Sequence, residues 1–186
     1  MTQVPSSMAD IATRTPSLGE CTPAGCPRGE ESPVAALLPQ ISLVDYPGRL
    51  SAVFFVAGCN FRCGFCHNAA LLGGRRPTFS WADLRERARA FRRLWADGAV
   101  ITGGEPTLTP ELPRLVGELK ALGFAVKLDT NGSRPDQLSE LLPQLDYVAM
   151  DVKTAPDRYG VFTGFSDTTA IGRSMVLLRD KANAYE

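Results

Sequence analysis

The chain lacks most of the features that would assign it to a common class of protein. Its 20 basic and 20 acidic residues cancel, so no net field attracts nucleic acid or an anionic membrane surface. It has no apolar run approaching about 18 residues, and its first ten residues carry neither the basic start nor the apolar segment of a signal peptide. Its five cysteines are an odd number, unlike a secreted disulfide framework. We therefore predict a cytoplasmic protein with reduced thiols and no nucleic-acid or membrane partner.

The N-terminal segment, residues 1–33, is rich in Pro, Ser, Thr, Gly and Glu and has few large apolar side chains. Such a composition cannot bury enough apolar surface to offset the entropy of ordering, so we predict that this extension is disordered. It contains Cys21 and Cys26 in C-x4-C spacing, which we interpret as incidental thiols, with an accessory metal or redox pair as the alternative. Residues 34–186 then form a single domain.

Beyond the tail, β-rich segments alternate with amphipathic helical segments. The sequence predicts strands at 40–44, 50–57, 99–102, 124–128 and 147–152. It predicts helices from Ser80 to a stop at Gly98, from a Thr109 cap to Gly123, around Leu138–Leu142, and over 169–180. Repetition of strand and helix is typical of an α/β fold with a parallel sheet and helical crossovers.

Polar motifs follow four of the predicted strands at their carboxyl ends. They are a cysteine-rich loop at 58–67, Gly103–Pro106, Asp129–Gly132 and Asp151–Lys153. Ligands of parallel sheets bind at this edge, so four motifs there predict one site.

Three cysteines, Cys59, Cys63 and Cys66, form a C-x3-C-x2-C triplet. A [4Fe–4S] cluster usually takes four protein thiolates, so three leave one iron open to a small molecule. Two alternatives are a zinc site with His67 as fourth ligand and a covalent haem on the C-x-x-C-H segment. Zinc is disfavoured because Cys66 and the adjacent His67 cannot easily reach one tetrahedral ion. Haem is disfavoured because it would need export and leaves Cys59 without a role.

The other motifs have plainer explanations when each is taken alone. Gly103–Pro106 is ordinary turn chemistry, although glycines admit a ligand to the backbone and a carboxylate binds an ammonium group. Asp129–Gly132 is compatible with an Asx turn, and Asp151 with Lys153 is compatible with a buried ion pair. Phe65 either packs the loop, shields a cluster or flanks an aromatic ligand.

Together these residues resemble a known superfamily. The C-x3-C-x-Phe-C motif, with Phe65 before its last cysteine, and the later Gly-Gly-Glu-Pro resemble the radical SAM superfamily and its glycyl-radical-enzyme activases. Longer segments are similar to the anaerobic ribonucleoside-triphosphate reductase activating proteins: Ser42–Gly48, Gly58–Cys63, Lys127–Gly132 and Tyr147–Lys153. The resemblance extends from about Leu38 to the C-terminus.

The resemblance implies two cofactors and a role for each motif. Cys59, Cys63 and Cys66 would bind three irons of a [4Fe–4S] cluster, and S-adenosylmethionine would chelate the fourth. The remaining implied contacts are Gly103, Gly104 and Glu105 for the methionine amino end, Phe65 for the adenine, Asp129, Thr130 and Asp151 for a monovalent cation, Lys153 for the nucleoside or carboxylate, and Asn131 as a weaker candidate.

The implied fold is a partial (β/α)6 barrel, of which we expect about four barrel strands here and the approach to a fifth at Tyr185–Glu186. The implied reaction is reductive cleavage of S-adenosylmethionine, with an electron from a flavodoxin-like donor. The product radical then takes a hydrogen from a glycine of a partner such as anaerobic ribonucleotide reductase. Alternatives are a radical enzyme acting on a small molecule or peptide, such as the queuosine-pathway type, and a non-enzymatic iron–sulfur or zinc-binding module.

Overall fold

A computed structural model describes residues 30–73 and 79–186, and its centre is a five-stranded sheet that does not close on itself. The strands lie in chain order: β1 (Val34–Leu37), β2 (Ser51–Val56), β3 (Gly98–Gly103), β4 (Ala125–Thr130) and β5 (Tyr147–Met150). β2 to β5 are parallel to their neighbours, and β1 is an antiparallel edge strand. The predicted α/β class with four parallel barrel strands is thus confirmed.

In the described residues, three α-helices connect the parallel strands and two more follow β5, and the helices that contribute to the main core cover one side of the sheet. They are α1 (Trp81–Arg93), α2 (Leu112–Ala121), α3 (Pro135–Leu141), α4 (Tyr159–Thr163) and α5 (Thr168–Lys181). α1 begins as predicted, because the Ser80 hydroxyl accepts a hydrogen bond from the Asp83 backbone N–H. Within the two described ranges, no helix combines the length and apolar character needed to cross a lipid bilayer.

The two faces of the sheet differ in composition, since side chains alternate along each strand. The helix-covered face is apolar: Phe54, Ile101 and Leu128 are wholly buried in the main core. On the inner face, which a closed barrel would enclose, a small cluster of Tyr46 and two valines lies toward the amino ends of the strands. The same face becomes polar toward the carboxyl ends.

Several element boundaries differ from those predicted. Residues 40–44 form no strand, because the Ser42 hydroxyl accepts from the backbone N–H groups of Val44 and Asp45 and turns the chain there. Val34–Leu37 forms the edge strand instead. β5 ends at Met150, two residues before the predicted end, and the Asp151 N–H makes the last ladder bond to β4, to the carbonyl of Thr130.

Two predicted helix ends were also wrong. α1 ends at Arg93 with Trp95 at a left-handed φ of 71°, and Gly98 instead begins β3. A Cβ at Gly98 would lie 3.0 Å from the Tyr46 ring, so the glycine is explained by packing under that ring. α2 begins at Leu112, because the residues around Thr109 complete a short 3-10 turn first.

The N-terminal extension can be assessed only at its end. Residues 1–29, with Cys21 and Cys26, lie outside the described residues. The last four residues of the extension, 30–33, are placed: Ser32 is buried, and both its N–H and its hydroxyl donate to the carbonyl of Phe79. These contacts place residues 30–33 against the chain before α1, and the prediction of disorder stays a prediction for residues 1–29.

The C-terminal residues 184–186 lie alongside β5. Val148 donates to the carbonyl of Ala184 at 3.0 Å, and Glu186 donates to the carbonyl of Val148 at 3.0 Å. Tyr185 and Val148 form a parallel bridge. The segment therefore continues the parallel sheet at the position where we expected the next barrel strand to begin.

Candidate functional site

A cavity of about 370 Å³ opens at the carboxyl ends of the parallel strands. All four predicted motifs contribute to its wall. Of the predicted site residues, the lining contains Cys59, Cys63, Phe65, Cys66, Gly103, Gly104, Asp129, Thr130, Asn131, Asp151 and Lys153, but not Glu105. The edge of the sheet that the sequence indicated is thus where these residues meet.

The cysteine loop is anchored at its start by backbone bonds and an aromatic side chain. Gly58 donates to the carbonyl of Leu71 at 2.9 Å and accepts from the N–H of Glu105 at 2.7 Å. Phe61 is buried, with its ring centroid 6.2 Å from that of Tyr159 and 5.0 Å from that of Phe165. The first half of the loop is therefore docked against the turn at Gly103–Gly104 and the segment after β5.

The three cysteine thiols are free and partly buried. The Cys59 sulfur accepts hydrogen bonds from the Phe61 backbone N–H at 3.4 Å and from Asn131 Nδ2 at 3.8 Å. Burial raises the pKa of both Cys59 and Cys63 above that of an ordinary thiol. A metal that bound these sulfurs would have to displace their protons.

Three soft sulfurs on one loop beside a cavity are a donor set suited to an iron–sulfur cluster. In the part of the chain that the structure describes, no three His, Cys, Asp or Glu side chains converge on a single point to hold one ion.

The two glycines of the Gly-Gly-Glu-Pro turn allow the chain to pack against itself. A Cβ on Gly103 would lie 2.4 Å from the carbonyl oxygen of Val56, and one on Gly104 would lie 2.0 Å from the carbonyl oxygen of Gly58. Gly103 also has a φ of +120°. We expected these glycines to admit a ligand. What the structure shows is the close approach of the end of β2 and the base of the cysteine loop to these glycines.

The Glu105 side chain does not line the cavity, although the resemblance implies a contact with the methionine amino end. Its carboxylate is wholly buried and accepts from the Thr107 N–H, the Thr107 hydroxyl, the Thr130 hydroxyl (2.7 Å) and the Asn131 N–H (2.6 Å). Burial raises the pKa of Glu105, and these four donors oppose the rise. The carboxylate links the ends of β3 and β4, so only the backbone of this motif faces the cavity.

Asp129 lies on the inner face beside a lysine that the sequence analysis did not select. Lys127 Nζ forms an ion pair with Asp129 Oδ1 at 3.1 Å, and among the described residues that buried oxygen has no further partner. Lys127 also donates to the carbonyl of Asp45 at 2.8 Å. Burial raises the pKa of Asp129 and the nearby ammonium lowers it. Because residues two apart on a strand face the same side of the sheet, Lys127 could have been identified from the position of Asp129.

Asp151 and Lys153 follow β5 at the rim of the cavity. Lys153 Nζ is 2.5 Å from Asp151 Oδ2, but the Asp151 side chain is 73% exposed, so this is not the buried ion pair of the plainer explanation. The Lys153 backbone donates to the hydroxyl of Tyr159 at 3.1 Å. Phe65 is half-exposed and faces the cavity, while Phe61 is the phenylalanine that packs the loop.

Two further polar residues of the cysteine loop, which the sequence analysis did not select, bind neighbouring segments of the site. Asn60 and Asn68 follow Cys59 and His67. Asn68 Nδ2 donates to the carbonyl of Gly103 at 3.0 Å, and Asn60 binds the end of β4 through Asn131 and Ser133.

Comparison with known proteins agrees with this geometry. The profile of the Radical SAM superfamily matches residues 53–172. A protein of Methanocaldococcus jannaschii named as a glycyl-radical enzyme activating enzyme is 39% identical over 125 residues, which are 66% of this chain and 51% of that protein. Pyruvate formate-lyase-activating enzyme of Streptococcus mutans is 32% identical over 142 residues, covering 69% of this chain and 54% of the relative.

Relatives with other activities match as well. 7-Carboxy-7-deazaguanine synthase of Neisseria meningitidis is 38% identical over 105 residues, covering 56% of this chain and 44% of the relative. The chain thus spans about half the length of the curated relatives it matches.

The fold also matches solved structures. Streptococcus suis SuiB bound to its precursor peptide SuiA aligns with a TM-score of 0.59 at 18% identity, covering 71% of this chain and 30% of that one. Identity at this level supports the fold alone. Because the superfamily profile covers most of the chain and a triplet of cysteines lines the cavity, the chain belongs to the radical SAM superfamily.

Proposed function

We propose that the chain carries the S-adenosylmethionine-cleaving site of an activase that generates a glycyl radical on a partner enzyme of the anaerobic ribonucleotide reductase type. The observation that carries this proposal is the wall of the cavity. It combines three loop cysteines, a glycine turn and an Asp151–Lys153 pair around one space. The similarity to a named glycyl-radical enzyme activating enzyme supports the choice of reaction.

Members of this superfamily use a [4Fe–4S] cluster and S-adenosylmethionine. In this chain the residues that would hold the cluster are Cys59, Cys63 and Cys66. When bound, the cluster supplies the electron for reductive cleavage of the sulfonium, and the chemistry belongs to the cofactors while the protein provides position and electrostatics.

The contacts to S-adenosylmethionine follow from which groups face the cavity. The backbone of Gly103 and Gly104 offers carbonyls for the methionine ammonium, since the Glu105 carboxylate is already occupied. Lys153 at the rim offers an ammonium for the methionine carboxylate or the nucleoside. The half-exposed ring of Phe65 offers a stacking surface for the adenine.

A monovalent cation is proposed beside the methionine carboxylate. Asp129, Thr130 and Asp151 all line the cavity, and the two carboxylates supply hard oxygen ligands. The Thr130 hydroxyl already donates to Glu105, so Thr130 would contribute a lone pair of that oxygen or its backbone.

The protein's own part in the reaction is placement. The inner face is closed at its base by Tyr46 and the valines beside it, so ligands are confined to the carboxyl ends of the strands. The cavity remains open on the other side, where a glycine of a partner chain would enter. Fixing reactants in this way is how an enzyme directs a radical to one hydrogen. A flavodoxin-like protein is the proposed electron donor.

A second candidate is a radical enzyme that acts on a small molecule, and the 38% identity to 7-carboxy-7-deazaguanine synthase favours it. It would use the same cofactors and the same contacts. It differs in what enters the open side of the cavity.

Anaerobic reconstitution with iron and sulfide, followed by dithionite and S-adenosylmethionine, tests the site. We expect methionine and 5′-deoxyadenosine from the unaltered chain and from the control Cys26→Ala, and neither product from Cys63→Ala. Addition of an anaerobic ribonucleotide reductase should then give a glycine-centred doublet in the electron paramagnetic resonance spectrum. Product formation without this doublet would favour the small-molecule candidate. Absence of both products from the unaltered chain would contradict both enzymes.

A further inference from the structure

Asn131 occupies a position that the proposed contacts to S-adenosylmethionine do not explain. Its side chain is buried, at 6% exposure, at the end of β4. Asn131 Nδ2 lies 3.8 Å from the Cys59 sulfur and 3.0 Å from Asn60 Oδ1. The distance to sulfur is long but within reach of a hydrogen bond to this large acceptor. The side chain thus points its amide at the first cysteine of the triplet.

The orientation of this amide is fixed by its neighbours. Asn131 Oδ1 accepts from the backbone N–H of Ser133 at 2.9 Å, and a backbone N–H can only donate. The oxygen must therefore face Ser133, which leaves the NH2 group facing Cys59 and Asn60. Asn60 Nδ2 in turn donates to the Ser133 hydroxyl at 2.8 Å. The network therefore assigns a donor to the sulfur.

The backbone holds the same residue from the other side. The Asn131 N–H donates to Glu105 Oε2 at 2.6 Å, so the buried carboxylate of the Gly-Gly-Glu-Pro motif fixes the backbone position of Asn131. Glu105 also accepts from the Thr130 hydroxyl at 2.7 Å. With the Phe61 N–H at 3.4 Å, the Cys59 sulfur has two N–H donors. The Glu105 motif thus acts on the cysteine loop through Asn131.

We infer that Asn131 is a positioning residue that donates a hydrogen bond to the Cys59 sulfur and thereby raises the reduction potential of the cluster that this cysteine would bind. Reduction places additional negative charge on the cluster and its sulfurs. An N–H dipole directed at a sulfur stabilises the reduced state more than the oxidised state. The inference rests on the proposed cluster site but not on the identity of any partner enzyme.

The test compares reduction potentials of anaerobically reconstituted proteins without S-adenosylmethionine. Potentials are measured by redox titration followed by electron paramagnetic resonance, with iron and sulfide determined for each sample. The variants are Asn131→Ala, Asn131→Asp and the control Ser133→Ala. Ser133→Ala removes a hydroxyl of the same network that does not touch the sulfur, and it leaves the Ser133 N–H in place.

For Asn131→Ala we expect a lower potential. At the midpoint of the unaltered protein, the ratio of reduced to oxidised cluster should fall roughly fivefold, the factor expected for one net hydrogen bond. Asn131→Asp should shift the potential in the same direction and further, because it replaces a donor with a negative charge while keeping the acceptor for Ser133. Ser133→Ala should stay within about twofold of the unaltered protein on the same scale.

Three results would overturn the inference. One is an Asn131→Ala or Asn131→Asp protein with full iron content and an unchanged potential. Another is an equal shift of the reduction potential in Ser133→Ala, which would mean that the position of the loop, and not the Asn131 donor, sets the potential. A third is loss of the cluster in both Asn131 variants only, which would make the residue a structural support. An unaltered chain that binds no four-iron cluster would instead contradict the proposed function itself.

Discussion

The helix-covered face of the sheet and its carboxyl-end rim show how differently one short chain can use its residues. The helix-covered face is filled by apolar side chains, among which Phe54 is wholly buried. The rim holds partly buried thiols, a half-exposed Phe65 and an ion pair, with one buried carboxylate, Glu105, beneath them. The comparison indicates that the helix-covered face supplies most of the stability and the rim supplies the groups of the candidate site. The Glu105 side chain contributes to stability, although the two glycines of its motif line the cavity.

The largest effect on stability should come from the helix-covered face. Phe54→Ala removes a buried ring from the core and should lower the free energy of unfolding by about 3–5 kcal/mol. Phe65→Ala, at the rim, should change it by less than about 0.5 kcal/mol. Urea unfolding of the two apo-proteins measures both values. Similar losses in the two variants would contradict the division by face.

The next effect should come from the contact between the turn and the cysteine loop. Gly104→Ala puts a Cβ 2.0 Å from the carbonyl oxygen of Gly58, so the loop must shift. We expect Gly104→Ala to lower the free energy of unfolding by about 3 kcal/mol and to lower the iron content after reconstitution. Gly64→Ala is the matched control, because a Cβ there meets nothing within 4 Å. Normal iron content in Gly104→Ala would show that the loop tolerates displacement.

Glu105→Gln tests whether the buried carboxylate belongs with the structural face. The substitution keeps the shape but turns one acceptor into a donor among groups that also donate, for a cost of about 2 kcal/mol. Thermal unfolding of the apo-protein measures this cost in the absence of any cofactor. If Glu105→Gln left the stability unchanged and weakened the binding of S-adenosylmethionine, the Glu105 carboxylate would instead contact the methionine ammonium, as the resemblance implies.

The smallest effect on stability should come from Asp151→Asn. The side chain is 73% exposed and its ion pair with Lys153 is at the surface, so the free energy of unfolding should change by less than about 0.5 kcal/mol. Binding of S-adenosylmethionine to the reconstituted protein should weaken, because Asp151 lines the cavity. Calorimetric titration checks the affinity. If Asp151→Asn lost much stability and kept its affinity for S-adenosylmethionine, Asp151 would be a structural residue and not part of the binding site.

Much of this organisation could be predicted from local patterns. The order of strands and helices, the α1 cap at Ser80 and the placement of four motifs on one edge follow from periodicity and from the rule for parallel sheets. The edge strand could not be predicted in place, because Ser42 turns the chain through its own hydroxyl. The C-terminal end of α1 and the start of α2 were missed for a similar reason, since packing under Tyr46 and a 3-10 turn competed with helix signals, whereas Gly123 follows the end of α2 as predicted.

The sequence by itself determined the superfamily to which the chain belongs, through three cysteines on one loop and a glycine turn one strand later. The tertiary structure alone decided which way each polar group faces. The Glu105 carboxylate turned inward because four donors from β4 and its own turn were there to satisfy it, and burial without them would be costly. Asn131 turned toward Cys59 because Ser133 N–H fixes its oxygen. The bonds of Glu105 to Thr130 and Asn131, and those of the Asn131 amide to Cys59 and Asn60, join residues far apart in the chain, which a local pattern does not contain.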